Sequence, residues 1–117
     1  MNEQAEIQVE KLKDCLIARL SGPLNASLGE QLLERIRTQL EHSRNVIIDL
    51  TGVEYLDSAG MGALVSVQMS TKRKGHNCIL TGLQGVPLEV MRSSQLLKIF
   101  QVQDSVDAAL EQVRESE

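Results

Sequence analysis

The segment that decides the fold runs from residue 46 to residue 62 and reads VIIDLTGVEYLDSAGMG. Its first part, Val46–Leu50, is mostly apolar and rich in β-branched side chains. Such a run, placed between two helices, is typical of a strand that is apolar on both faces inside a parallel or mixed sheet. A helix is predicted to begin at Ser58, and residues 51–57 are expected to form the loop before it.

Upstream of this segment the sequence predicts two strands and a helix. Strands at Ile7–Glu10 and Cys15–Leu20 are expected to form an antiparallel hairpin, and Ser21-Gly22-Pro23 is expected to break the chain after it. The following helix has Asn25 or Ser27 as its candidate N-cap. Its apolar stripe consists of Leu28, Leu32, Leu33, Ile36 and Leu40.

Downstream of the segment, helices and strands continue to alternate. The predicted elements are the helix from Ser58 to Lys74, a strand at Asn77–Thr81, a short helix at Pro87–Ser93, a strand at Ile99–Val102 and a helix from Val106 to Val113. This alternation predicts an α/β domain with a mixed sheet of four to five strands. The length of 117 residues suits a single domain spanning residues 1–117.

The composition excludes several classes of function. A net charge of −4 lacks the basic face that a nucleic-acid binder needs, so no direct contact with nucleic acid is expected. No run of about 18 apolar residues is present, so no membrane insertion is expected. The two cysteines, Cys15 and Cys78, lie in separate apolar runs and are predicted to be buried thiols in a reducing compartment. We therefore expect a cytoplasmic protein.

The motifs of common enzymes are missing. The sequence has no glycine-rich nucleotide-binding loop and no cluster with metal-ligand spacing, so neither a cofactor nor a metal is expected. His42 and His76 are isolated and are interpreted as solvated turn residues. Ser58 lacks the Gly-x-Ser-x-Gly elbow of a serine hydrolase and has no base placed to activate it.

The residues around Ser58 allow two interpretations. In the structural one, Asp57 or Ser58 is the N-cap of the helix, and Gly60 and Gly62 permit close packing against the sheet. In the functional one, the two glycines remove bulk from one side of the helix so that a partner can approach Ser58. The residues alone leave both interpretations open.

A family resemblance favours the functional interpretation. The strand Val46–Leu50 followed by the tetrad at residues 57–60 resembles the signature of STAS domains, and more narrowly that of bacterial anti-sigma factor antagonists. In that family an Asp-Ser-(Ser/Ala/Thr)-Gly tetrad at a helix N-terminus carries a phosphorylated serine. Further landmarks similar to the family's are Leu20–Leu24, Gly82-Leu83, the helix near Pro87–Met91 and Ser93–Leu96. The resemblance implies a STAS-type single domain with helices mainly on one face of its sheet.

The resemblance also implies a mechanism. The unphosphorylated chain would bind an anti-sigma factor that is also a serine protein kinase, and would thereby release a sigma factor. Phosphorylation at Ser58 would abolish binding, and a PP2C-type serine phosphatase would restore it. The chain itself would be no enzyme, and a monomer or weak dimer. The implied partner-binding residues are Asn25, Asp57, Ser58, Ala59, Gly60, Met61 and Gly62.

Asn25 departs from the family pattern, which often has Asp at this position. The amide keeps the shape of the carboxylate but lacks its charge.

Two alternative functions belong to the same family. The chain could be a STAS subunit that docks on the cytoplasmic ATPase of a membrane transport system, or a scaffold domain in a signalling assembly.

If Ser58 is the phosphorylated residue, a kinase must reach it, so we expect its hydroxyl at the surface. We also expect Met61 to be partly exposed, where it can contact a partner.

Overall fold

A computed structural model describes residues 4–39 and 45–115 of the chain. The described elements, in chain order, are β1 (Glu6–Lys11), β2 (Cys15–Leu24), α1 (Ala26–Gln39), β3 (Asn45–Leu56), α2 (Ser58–Arg73), β4 (Cys78–Thr81), α3 (Gly85–Ser93), a 3-10 turn (Leu96–Ile99), β5 (Gln101–Gln103) and α4 (Val106–Glu115). The five strands form one sheet in the order β1-β2-β3-β4-β5. β1 is antiparallel to β2, and the other neighbours are parallel. The predicted mixed α/β sheet is thereby confirmed.

The central strands bury apolar side chains on both faces, as predicted. Val46, Ile48 and Leu50 belong to a core shared with α1, α2 and α3. The intervening Ile47 belongs to a second core on the other face, beneath α4. Three of the four described helices therefore cover one face, which confirms the expected arrangement. Of the residues interpreted from sequence, Leu40 and His42 lie outside the described ranges.

Two predictions about the central strands were wrong. The expected break at Ser21-Gly22-Pro23 lies inside β2, and the expected loop at residues 51–57 is strand up to Leu56. The reason is that these two stretches pair with each other after the pairing of β3 with β4 has ended at Asp49. Their register is irregular, which accommodates glycine and proline. Gly52 is needed there, since a Cβ atom would lie 2.8 Å from the Cβ of Ser21.

Two elements downstream of α2 have bounds that differ slightly from the predicted ones. α3 begins at Gly85, two residues before the predicted start. The strand predicted at Ile99–Val102 is instead a 3-10 turn followed by β5. Ile99 lies outside the paired residues of β5, and its carbonyl accepts a hydrogen bond from the side chain of Gln68 on α2. The end of α2 confirms the prediction, with Gly75 in the left-handed region at φ +81°.

Both cysteines are buried, as predicted, and neither forms a disulfide. Cys78 lies on β4 and belongs to the core shared with α1, α2 and α3, and burial raises the pKa of its thiol to about 12, because the interior disfavours the thiolate.

This raised pKa predicts that the free energy of unfolding decreases at alkaline pH. Below pH 9 the thiol is protonated in both the folded and the unfolded chain, so Cys78 contributes no pH dependence. Between pH 9 and 12 only the unfolded chain releases the proton, so the free energy of unfolding falls by about 1.4 kcal/mol per pH unit. Urea unfolding of the reduced native chain and of Cys78→Val, at pH 7 and pH 10, isolates the effect. A stability difference between the two proteins that is the same at both pH values would contradict it.

Candidate functional site

The candidate site lies where the two central strands end together. The last residues of β2 and β3, Leu24 and Leu56, are paired across the sheet. One residue separates each strand from a helix, with Asn25 before α1 and Asp57 before α2. The backbone N–H of Asp57 donates to the carbonyl of Leu24 at 3.3 Å, which ties the two junctions together. The N-termini of α1 and α2 therefore lie next to each other at the C-terminal ends of the central strands β2 and β3.

Both junction residues cap their helices. The Asp57 carboxylate accepts a hydrogen bond from the backbone N–H of Gly60 at 2.9 Å. The Asn25 side-chain oxygen accepts one from the backbone N–H of Leu28 at 3.2 Å. Of the alternatives left open by the sequence, Asp57 rather than Ser58 is thus the cap of α2. Asn25 keeps the acceptor that capping requires, so the departure from the usual Asp removes a charge but leaves the cap in place.

Ser58 is the first residue of α2 and is exposed. Its hydroxyl has no hydrogen-bond partner within residues 4–39 and 45–115. The expectation of a surface hydroxyl is confirmed, and Met61 is half-buried as expected. Modification of this hydroxyl would therefore break no hydrogen bond among the described residues.

The assignment of the cap predicts different stabilities for neighbouring variants. Asp57→Ala removes the acceptor for the Gly60 N–H and is expected to lower the free energy of unfolding by about 0.5–2 kcal/mol. Ser58→Ala is expected to change it by less than about 0.5 kcal/mol, because no contact is lost. Chemical denaturation of both variants, with Asp57→Asn as the control that keeps an acceptor, measures the difference. If Ser58→Ala were the more destabilised variant, Ser58 would be the cap after all.

The two glycines of the motif have different roles. Gly60 is buried, and a Cβ atom there would lie 2.1 Å from the carbonyl oxygen of Leu24. Gly62 is exposed, and a Cβ atom there would meet nothing within 4 Å. Close packing, the structural interpretation, therefore explains Gly60 and does not explain Gly62.

A shallow groove of about 180 Å³ runs from the site along the seam between α1 and α2. Its lining includes Ala26, Gly29, Ala59, Gly62, Ala63 and Ser66. Gly29 allows the close approach of the two helices, since a Cβ atom there would lie 2.9 Å from the Cβ of Ala63. Ala59 and Gly62 thus belong to one shallow surface of small side chains next to Ser58.

Two further residues, one before the motif and one that contacts Met61, were not predicted from the sequence to belong to the site. Tyr55, near the end of β3, is 52% exposed although it is a large aromatic side chain. Ser94 follows α3 and places its hydroxyl 3.8 Å from the sulfur of Met61, so the end of α3 borders the site. The presence of a tyrosine three residues before Ser58 was a usable signal, because exposed tyrosines are frequent in protein interfaces. The approach of Ser94 could not be deduced from sequence spacing.

The electrostatics of the site favour an anion on Ser58 and oppose a nucleophilic role. The N-terminus of α2 attracts negative charge through its dipole and its unpaired N–H groups. The described histidine, His76, lies beyond the opposite end of the 16-residue helix, about 24 Å along its axis, and is too far away to act as a base.

No group of three or more potential metal ligands occurs in the described part of the chain. None of the described helices is long and apolar enough to cross a membrane.

Known proteins are similar to this chain in sequence. The family model described as STAS domain matches residues 6–109. A protein of Bordetella bronchiseptica named "Putative anti-sigma factor antagonist BtrV" is 30% identical over 105 residues, which cover 89% of this chain and 90% of that protein.

Solved structures share the fold. A crystal structure of an anti-sigma factor antagonist from Mycobacterium paratuberculosis superposes with a TM-score of 0.81 at 22% identity, covering 97% of each chain. The phosphorylated form of the Bacillus cell fate determinant SpoIIAA superposes with a TM-score of 0.73 at 20% identity, covering 92% of this chain and 99% of that one. The chain therefore belongs to the STAS domain family and, within it, to the anti-sigma factor antagonists.

Proposed function

We propose that this chain is a partner-switching anti-sigma factor antagonist whose switch is Ser58. In its unphosphorylated form it binds an anti-sigma factor that is also a serine protein kinase, and the bound sigma factor is released. The proposal is supported above all by the position of Ser58, an exposed hydroxyl without a partner among the described residues, at the start of α2. The whole chain, residues 1–117, is proposed to act as one STAS domain in the cytoplasm.

The proposed contact surface surrounds Ser58. Ala59 and Gly62 are exposed, and Asn25, Asp57 and Met61 are half-buried, so each has atoms at the surface. Gly60 is buried, and its proposed contribution is to hold the start of α2 against β2. A surface of small side chains around a half-buried methionine suits the close approach of another protein, because little bulk has to move.

A phosphate on Ser58 is expected to change the surface and to leave the fold intact. It brings about −1.5 to −2 charges at pH 7. The N-terminus of α2 tolerates this charge, and the capping bond from Gly60 to Asp57 does not involve Ser58. The effect of phosphorylation is therefore expected in the complex, where the new dianion and the Asp57 carboxylate would have to be desolvated together.

The chemistry of the cycle is assigned to the partners. We propose that the kinase supplies the nucleotide and transfers its phosphoryl group to Ser58, and that a PP2C-type serine phosphatase removes it. The chain is proposed to be no enzyme and to require neither a cofactor nor a metal. No histidine of the described residues lies near Ser58, and this supports the division of roles.

Affinity capture tests the proposed function. The native chain and Ser58→Asp are immobilised separately and exposed to a lysate of the cells that express the protein. We expect the native chain to retain an anti-sigma factor with a serine kinase domain, and Ser58→Asp to retain much less of it. Retention of a transporter ATPase instead, or equal retention of the kinase by both baits, would contradict the proposal.

A further inference from the structure

The two outer strands of the sheet differ in how their edges are protected. β1, at one end of the sheet, carries charged side chains at Glu6, Glu10 and Lys11. β5, at the other end, consists of Gln101–Gln103 and carries no charge. Charged side chains on an outer strand discourage a second chain from pairing with it. By this criterion the edge at β1 is protected and the edge at β5 is open to pairing.

Aliphatic side chains are exposed at the β5 edge. Val102 is 42% exposed, and Ile99, which lies just before the strand, is 45% exposed. Val102 is in register with Leu80 of the main core, so its side chain points to the same face of the sheet as that of Phe100. Among the described residues β5 pairs with β4 alone, so its outer backbone groups and these aliphatic side chains lie together at the surface.

Opposite charges flank this strand. Lys98 lies three residues before Gln101, and Asp104 lies three residues after it; both are exposed. The Lys98 ammonium group donates to the side-chain oxygen of Gln95 at 2.8 Å, a neutral partner. If Gln101 faces its own copy in an antiparallel pair, Lys98 of each chain comes opposite the partner's Asp104. Lys98 belongs to the 3-10 turn, and its long flexible stem allows the ammonium group to reach across.

We propose that two copies of the chain associate by antiparallel pairing of their β5 edges, with a two-fold axis at Gln101. The same patch serves on both chains, as such an axis requires. Val102 then lies opposite the partner's Phe100 on one face of the joined sheet, so its exposed aliphatic surface becomes covered. The end charges match the chain's own sequence, which favours a second copy over an unrelated strand.

The proposed dimer is weak, because the strand is short. We expect a dissociation constant on the order of 0.1 mM, at the low end of protein association. Sedimentation equilibrium of the native full chain, from about 10 µM to about 1 mM, is expected to show the average mass rising from monomer towards dimer. Val102→Lys is expected to remain monomeric, because it places a charge on the pairing edge. A native chain that stays monomeric throughout, or a Val102→Lys variant that associates like it, overturns the proposal.

Charge reversals test the register of the pairing. Lys98→Asp alone and Asp104→Lys alone each bring like charges opposite each other at both ends of the paired strands. Each is expected to weaken self-association about tenfold. An equimolar mixture of the two variants brings opposite charges together again at both ends, so a mixed dimer of about native strength is expected. A mixture that associates no better than either variant alone overturns the proposal.

A matched pair of variants controls for net charge. Lys72→Asp and Glu30→Lys change the net charge by the same amounts, but they lie on exposed positions of α2 and α1 rather than near β5. Both are expected to self-associate like the native chain, and NMR signal dispersion reports the fold of every variant. If these controls weaken association as much as the reversals at Lys98 and Asp104, the effect is one of net charge and the proposed edge is wrong. The proposed switch at Ser58 is tested separately, by the capture experiment.

Discussion

Phosphorylation of Ser58 is expected to weaken binding of the anti-sigma factor about 1,000-fold. The new phosphate would stand beside the Asp57 carboxylate on a surface that must lose water when the partner docks. Burial of unpaired charge costs several kcal/mol, and a cost of about 4 kcal/mol corresponds to this factor. Calorimetric titration of the captured partner with both forms of the chain measures the change. Because Ser58 makes no capping bond, the phosphorylated chain is expected to remain folded.

Two variants separate the charge from the hydroxyl. Ser58→Ala is expected to bind like the native chain and to ignore the kinase, because only an unpartnered hydroxyl is lost. Ser58→Asp is expected to bind with intermediate affinity, since a carboxylate carries less charge and bulk than a phosphate. An affinity of the Asp variant equal to that of native protein, together with loss of binding in the Ala variant, would assign the effect to the hydroxyl rather than to charge.

Gly60→Ala is expected to lower the free energy of unfolding by about 3 kcal/mol, the largest loss of stability that we predict. Its Cβ atom would lie 2.1 Å from the carbonyl oxygen of Leu24, and a backbone group cannot yield without a shift of α2 or β2. This overlap outweighs the gain of about 1 kcal/mol that alanine normally gives over glycine inside a helix. Urea denaturation measures the loss.

Gly62→Ala is the matched control on the same helix. Its Cβ atom meets nothing within 4 Å, so only the helix propensity changes, and a gain of up to about 1 kcal/mol is expected. The two variants make the same chemical change two positions apart and are predicted to have opposite signs. Equal stabilities would show that contact with Leu24 does not constrain α2.

The sequence was sufficient to predict the elements that have a strong periodic or β-branched pattern. Val46–Leu50 and the start of α2 at Ser58 were predicted correctly, because both depend on local composition. The extensions of β2 and β3 were missed, since glycine and proline at residues 21–23 are common signals of a turn. Only the pairing of these two stretches with each other explains why strand continues there.

At the candidate site, the sequence singled out the motif at residues 57–62, but it did not predict the structural role of each residue in that motif. Asp57 and Ser58 are both good N-caps, and the choice depends on β3 ending at Leu56, which was not predictable from the expected loop. Gly60 and Gly62 are equivalent in sequence and differ only in what lies opposite each one. Local propensity does not encode contacts that form when distant segments meet.

The central claim, that one phosphate on Ser58 separates the chain from its partner, is tested most directly by native mass spectrometry of the captured complex before and after addition of Mg²⁺ and ATP. We predict an intact complex before addition, and afterwards a free chain that carries a single phosphate, which fragmentation assigns to Ser58. A phosphorylated chain that stays bound to the kinase, or a phosphate on another residue that accompanies the same release, would contradict the account.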